Sequence, residues 1–198
     1  MTTSHTAAPP IGASPSPSAL VDDLHQWVVE LRNQGSTATG IVWGRSGIVV
    51  TNAHCVREGE DPQIVTQLGT RTGRLLAVAG DHDLAALSVP GLAGPSLKIR
   101  DPSALETGEL VFAYGHPLGV RDALSMGVVH AVVRHRSGEP KYVVADVRLA
   151  PGNSGGPLVD ADGRLVGINH MVVNGLGVAI PATTVARFVD RVRTARAA

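Results

Sequence analysis

From Trp27 to Ile180 the apolar residues come in short runs, each closed by Gly, Pro, Asp or Asn, and no helical period separates them. Runs at 41–43, 48–50, 64–67, 75–78, 85–89, 110–114, 124–133, 142–147, 165–169 and 177–180 have the length and composition of strands. Parallel strands need crossover helices between them, so this pattern excludes an α/β sheet and leaves a sandwich or barrel. Val29 and Leu31 alternate with Glu30 and Arg32, which predicts a half-buried first strand, and Asn33–Ser36 a turn. Gly44-Arg45-Ser46-Gly47 between two apolar runs predicts a hairpin.

Helical signals stand only at the ends. Ser18 to His25 reads as a short helix capped by Ser18, with Asp22 and Asp23 near its positive end. Val185, Phe188, Val189 and Val192 recur at helical spacing and predict an amphipathic C-terminal helix capped by Thr183 or Thr184. Residues 90–107 are rich in Pro and Gly, lack any period, and read as the link between two halves. The organisation expected is a flexible tail over 1–17, a first half over 18–104 and a second over 105–198.

Composition bounds the chemistry. Lys+Arg 17 balance Asp+Glu 17 over 198 residues, so no global field favours nucleic acid or a membrane as partner. Cys55 is the single cysteine and cannot close an intramolecular disulfide; a buried, inert thiol is expected. No apolar run is long enough to span a bilayer. The first twenty residues lack the basic and apolar regions of a signal peptide, so cytoplasmic residence is expected. The histidines show no metal-ligand spacing, and neither metal nor cofactor is expected. His25, His82, His116, His130 and His135 read as surface or loop residues, and Trp27 and Trp43 as core.

In Pro151-Gly152-Asn153-Ser154-Gly155-Gly156-Pro157, glycines flank a serine and allow tight turns and close substrate approach. A serine hydroxyl is a weak nucleophile and needs a base, itself oriented by a third group. The same residues fit the G-x-S-x-G elbow of α/β-hydrolases, which requires an acid and then a histidine downstream. The sole downstream histidine, His170, is too close for that. Upstream, His54 follows the run Ile48-Val49-Val50-Thr51, and Asp83 directly precedes the apolar run Leu84–Leu87. An acid entering the core needs a partner. The order His54, Asp83, Ser154 is that of chymotrypsin-type enzymes.

T-N-A-H-C, D-L-A-A-L and P-G-N-S-G-G-P-L-V resemble the three catalytic blocks of the trypsin-like superfamily. Ala113–Gly119, Asp146, Gly167-Ile168-Asn169 and Ala179-Ile180-Pro181 are similar to further blocks of its bacterial HtrA/Deg-type proteases, over residues 27–190. The resemblance implies an all-β fold of two antiparallel six-stranded Greek-key barrels with a C-terminal α-helix and a catalytic cleft between the barrels. It implies a serine endopeptidase acting on polypeptide through an acyl-enzyme. Ser154 would be nucleophile, His54 base and Asp83 its orienter, with the Gly152 and Ser154 N–H groups as oxyanion hole. A catalytically silent, peptide-binding module on the same scaffold is the alternative. Asn153 stands where zymogen-activated relatives carry an aspartate, so activation through a new N-terminus is not expected and the Gly152 peptide becomes a candidate switch. No PDZ domain is expected after the final helix. Residues 147–150 resemble a pocket wall without an acid, which disfavours Lys/Arg substrates. Small aliphatic residues are implied at the cut, unless Arg148 and His170 draw an acidic one.

Overall fold

The computed structural model describes residues 16–197. Helix α1 (Pro17–Leu24) is capped one residue before its start by Ser16, whose hydroxyl accepts the Ala19 N–H, and not by Ser18. Pro17 takes the first helical position, where a missing N–H costs nothing. Of the tail expected over 1–17, residues 1–15 lie outside the described range, while Ser16 and Pro17 begin this helix.

The first sheet comprises β1 (Val28–Asn33), β2 (Ser36–Val42), β3 (Ile48–Asn52), β4 (Gln63–Thr66), β5 (Gly69–Thr72), β6 (Arg74–Ala79) and β7 (Leu84–Ser88). These run antiparallel in the order β5-β4-β1-β2-β3-β7-β6. A closed six-stranded barrel was expected here. The sheet has seven strands, and β5 and β6 are its unpaired ends. All four residues of β5 are exposed and β6 is only half-buried, so little apolar surface draws these two strands together.

Strand β1 departs from the expected alternation, because Val28 to Leu31 are all buried, Glu30 included at 2 % exposure. Glu30 accepts hydrogen bonds from Arg32 Nε at 2.7 Å and from Arg121 Nε at 3.0 Å. Arg121 lies 91 residues along the chain, so no local pattern could reveal that partner. Burial alone would raise the Glu30 pKa; the bonds and charges of Arg32 and Arg121 outweigh it, leaving it lowered.

The second half is a closed barrel of β8 (Leu110–Gly115), β9 (Ala123–Arg134), β10 (Pro140–Ala145), β11 (Pro157–Asp160), β12 (Leu165–Val173) and β13 (Leu176–Pro181), in the order β10-β13-β12-β11-β8-β9. Closure removes sheet edges. One core fills this barrel around Val111, Val143, Leu158 and Val166. A larger one joins the halves, packing Trp27, Leu31, Ile41, Val50 and Leu87 with Phe112, Leu165, Ile168 and Phe188. The connection expected to be a plain linker is fastened to the barrel, since Lys98 O and the Arg100 N–H both bond to the Leu165 backbone.

Helix α2 (Ala182–Ala197) follows β13 without a break, so Thr183 and Thr184 sit in its first turn and not ahead of it as caps. It buries Val185, Phe188, Val189 and Val192 and touches β12 and β13 on one side and β6 and β7 on the other. Phe188→Ala is expected to lower the unfolding free energy by about 3 kcal/mol. Urea unfolding checks this, and a loss under about 1 kcal/mol would contradict a helix that ties both halves. A carboxylate with a lowered folded pKa stabilises above its unfolded value and loses that contribution as pH falls through the folded one. Glu30→Gln is therefore expected to weaken the fold at neutral pH and flatten its loss on acidification, as read by denaturant titrations at stepped pH.

Candidate active site

Pairing of β3 with β7 sets Asn52 opposite Leu84, so the turns leaving and entering these strands lie side by side. The first, Ala53–Cys55, carries His54. The second, Gly80–His82, ends at Asp83, whose φ of 50° is left-handed and tolerated by Asp better than by most residues. The Asp83 carbonyl accepts the Ala53 N–H at 3.0 Å and the Asn52 side-chain amide at 3.1 Å. One carboxylate oxygen accepts the His54 backbone N–H at 2.9 Å; the other lies 2.6 Å from His54 Nδ1. The acid is thus clamped to the backbone of the residue whose ring it orients.

Ser154 lies in the loop before β11. Gly155 has φ +83°, and a Cβ there would collide with the Thr39 carbonyl and the Thr51 hydroxyl, so only glycine fits. Thr39 joins this loop to the first sheet: its N–H donates to Ser154 O at 2.9 Å and its hydroxyl to Gly152 O at 2.6 Å. The same hydroxyl accepts the His116 N–H, and the Thr39 carbonyl accepts the Thr51 hydroxyl. Pro151 O accepts the Leu118 N–H at 2.8 Å. In a trans peptide this directs the Gly152 N–H to the opposite side. Among the described residues, neither the Gly152 nor the Ser154 N–H donates to a protein acceptor.

The Leu118 turn is itself held. Leu118 has φ 53°, an uncommon conformation for a branched side chain. Beyond it, Arg121 reaches Glu30, and the Asp122 carboxylate accepts the Tyr114 hydroxyl at 2.9 Å and meets His25 Nε2 at 2.8 Å. His116 Nδ1 accepts the Asp122 N–H. Expected at the surface, His116 is buried, and burial lowers its pKa. Burial and the adjoining Asp122 carboxylate push the Tyr114 phenol up.

Against Ser154 opens a cavity of about 330 Å³, walled by Leu149, Ala150, Met171 and Val172 with His170 at its side. Arg148, also expected there, is exposed and off this wall; its backbone N–H bonds to Ser125 Oγ. His170 stacks on Tyr142, and its Nδ1 lies 2.8 Å from the same Asp83 oxygen that faces His54. That contact is off the line of a ring hydrogen bond. Burial lowers the His170 pKa against the pull of Asp83. Ser154 Oγ faces the His170 carbonyl at 3.5 Å and makes no hydrogen bond to His54. His54, Asp83 and His170 bring ligand-type atoms within 4.8 Å of one another, a set that three separate segments supply and local spacing could not show. Cys55 is half-buried, and burial pushes its thiol up to about 11, so it stays protonated at neutral pH. A second cavity of about 460 Å³, beside Trp43 and Arg193, contains neither Ser154 nor His54.

Sequence reasoning missed Thr39, Leu118 and Tyr142. Pro117 and Gly119 flag a turn around Leu118, but nothing local marks Thr39 or Tyr142. Thr39→Val strips partners from the buried His116 N–H and Gly152 carbonyl, with an expected loss of about 1–3 kcal/mol. Thr39→Ser should restore most of it in urea unfolding; equal losses for both substitutions would contradict the hydroxyl's role.

The profile described as the trypsin-like peptidase domain matches residues 38–168. Protease Do-like 1, chloroplastic, of Arabidopsis thaliana is 34% identical over 80% of the chain and 39% of its own length. Serine protease HTRA2, mitochondrial, of Drosophila pseudoobscura pseudoobscura is 34% identical over 79% of the chain and 39% of its length. A DegP-like periplasmic serine endoprotease of Pseudomonas fulva (strain 12-X) is 31% identical over 82% of the chain and 36% of its length. The solved HtrA-type protease AlgW with tripeptide superposes with a TM-score of 0.80 at 26% identity, over 89% of this chain and 63% of that one. The chain thus spans about two-fifths of the length of these curated relatives. Their names overturn the cytoplasmic expectation, being periplasmic, chloroplastic or mitochondrial. The expectation rested on missing signal-peptide features in the first twenty residues, and such an absence carries no address. With its profile match, HtrA-type relatives and double-sheet architecture, the chain belongs to the trypsin-like peptidase domain family.

Proposed function

We propose that this chain is a serine endopeptidase, with Ser154 as nucleophile, His54 as general base and Asp83 as the group that orients it. The observation that carries the reading is the double hold of Asp83 on the His54 backbone N–H and ring Nδ1, across from a serine flanked by unpaired N–H groups. With Nδ1 committed to Asp83, the lone pair of His54 rests on Nε2, the nitrogen that takes the serine proton. Oγ then attacks the scissile carbonyl, and the developing oxyanion meets the Gly152 and Ser154 N–H groups, each donor contributing roughly 3 kcal/mol. His54 returns its proton to the leaving amine, and water releases the acyl group by the same path. In this reading residues 18–104 supply base and acid, and residues 105–198 the nucleophile and oxyanion hole. The solved relatives bear peptides, which supports a polypeptide substrate.

The Ser154–His54 bond is not drawn up, and catalytic bonds of this kind often tighten only with substrate. The same observation favours a second reading, a peptide-binding module without turnover. Switching through the Gly152 peptide would require breaking the Leu118–Pro151 bond, which holds the N–H on its free side. The apolar wall of Leu149, Met171 and Val172 beside a His170 held towards neutrality favours a small or medium apolar residue before the cut, over an acidic one. By the compartments of its relatives, the protease is read as acting outside the cytoplasm.

Quenched-peptide hydrolysis tests the reading. Ser154→Ala should abolish turnover, and Asp83→Asn should lower kcat about 10⁴-fold by losing the correct His54 tautomer. Turnover that survives Ser154→Ala, or a wild-type protein that binds peptide and never cleaves it, would contradict it. A library varied at the residue before the cut should favour Val, Ala or Leu over Glu and Arg; a preference for Glu would return Arg148 to the pocket.

A further inference from the structure

His170 is the unexplained residue of the site. Its Nδ1 is fully enclosed and has no aligned hydrogen bond, yet it stands 2.8 Å from a carboxylate oxygen. Buried polar atoms without partners are rare and call for a reason. Its ring cannot easily turn away, being 11 % exposed and stacked on Tyr142 with an interplanar angle of 5°. His54 Nδ1 points at the same oxygen from the other side at 2.6 Å. Two imidazole nitrogens and one carboxylate oxygen thus converge, and of the two pairs only that of His54 makes a hydrogen bond.

We propose that His54, Asp83 and His170 form a binding site for a borderline divalent cation such as Zn²⁺, and that the cation switches the serine off. The donor set is one that zinc favours, two His nitrogens and a carboxylate oxygen with an open fourth position. Zinc bonds of about 2.0–2.2 Å in a tetrahedron put ligand atoms about 3.3–3.5 Å apart. The two contacts to Asp83 need to open only slightly to admit it, and all three ligand atoms already lie within 4.8 Å. His54 can make that adjustment, since its side chain is 48 % exposed, and it leaves the fourth position to solvent. Burial holds His170 towards the neutral form that a ligand must have.

The step balances simply. The neutral His54 ring carries one proton, on Nδ1; when Zn²⁺ binds Nδ1 that proton passes through solvent to Nε2, so the ring stays neutral and no proton is released net. Metallated His54 then has no lone pair to accept the Ser154 proton, so the nucleophile stays a hydroxyl. Withdrawing the metal restores the base. This deepens the protease reading and rests on it for the inhibitory consequence, but not for binding itself.

The full chain is titrated with Co²⁺ and followed by visible absorption, which reports tetrahedral coordination without any need for turnover. In parallel, peptide hydrolysis is measured against Zn²⁺, each variant normalised to its own metal-free rate. Wild type is expected to give one saturable tetrahedral site and reversible loss of hydrolysis, regained with a chelator. His170→Ala should bind Co²⁺ more weakly by about tenfold or more and resist Zn²⁺ to a similar degree. His54→Ala, at an exposed position, should show the same weakening in absorption alone. A tetrahedral Co²⁺ signal in a chain that never hydrolyses peptide would support the site and sink the protease reading. Hydrolysis that Zn²⁺ leaves untouched, or Co²⁺ binding equal in wild type and His170→Ala, would overturn the metal site.

Discussion

Four hydrogen bonds at Thr39 hold the candidate site in register. Thr39 belongs to the first sheet, yet its N–H and hydroxyl reach Ser154 O and Gly152 O in the second half. A bond between buried groups is worth more for what its loss would strand than for its own net energy. Here the loss would strand carbonyls on both sides of Asn153 and free the His116 N–H at the foot of the Leu118 turn. The serine loop is therefore fastened to the first sheet through one residue, by its backbone and its side chain together. Sequence distance contributes nothing to it.

Charge plays a supporting part at one remove. The Leu118 turn, which fixes Pro151 O, is moored by Arg121 to buried Glu30 and by Asp122 to Tyr114 and His25. A buried carboxylate is costly alone and stable only when paired, so Glu30 needs both of its arginines. These residues do not line the cavity beside Ser154. They keep in place a strained turn that holds the Pro151–Gly152 peptide, the oxyanion hole of the proposed mechanism, which ties the fold's buried ions to that proposal.

Strands with apolar runs and turn signals at both ends were legible in the sequence, as were the serine loop, His54 and Asp83, because chain order and glycine placement constrain them. What escaped was non-local or lacked hydrophobic signal. Strand β5 carries no apolar residue, and Glu30 was read as solvent-facing because its second partner is far along the chain. Arg148 lies past the end of β10 in an irregular segment, where no strand alternation tells which residue faces the cavity. His170 was expected at the pocket and does border the cavity, while its contacts with Asp83 and Tyr142 join separate segments and have no local trace.

The central claim is that Ser154 is an activated nucleophile in this setting. Intact-protein mass spectrometry after treatment with a fluorophosphonate, followed by peptide mapping, tests it most directly. The account requires a single adduct on Ser154, formed far faster in wild type than in His54→Ala. An unmodified protein, or an adduct formed equally fast without His54, would contradict it.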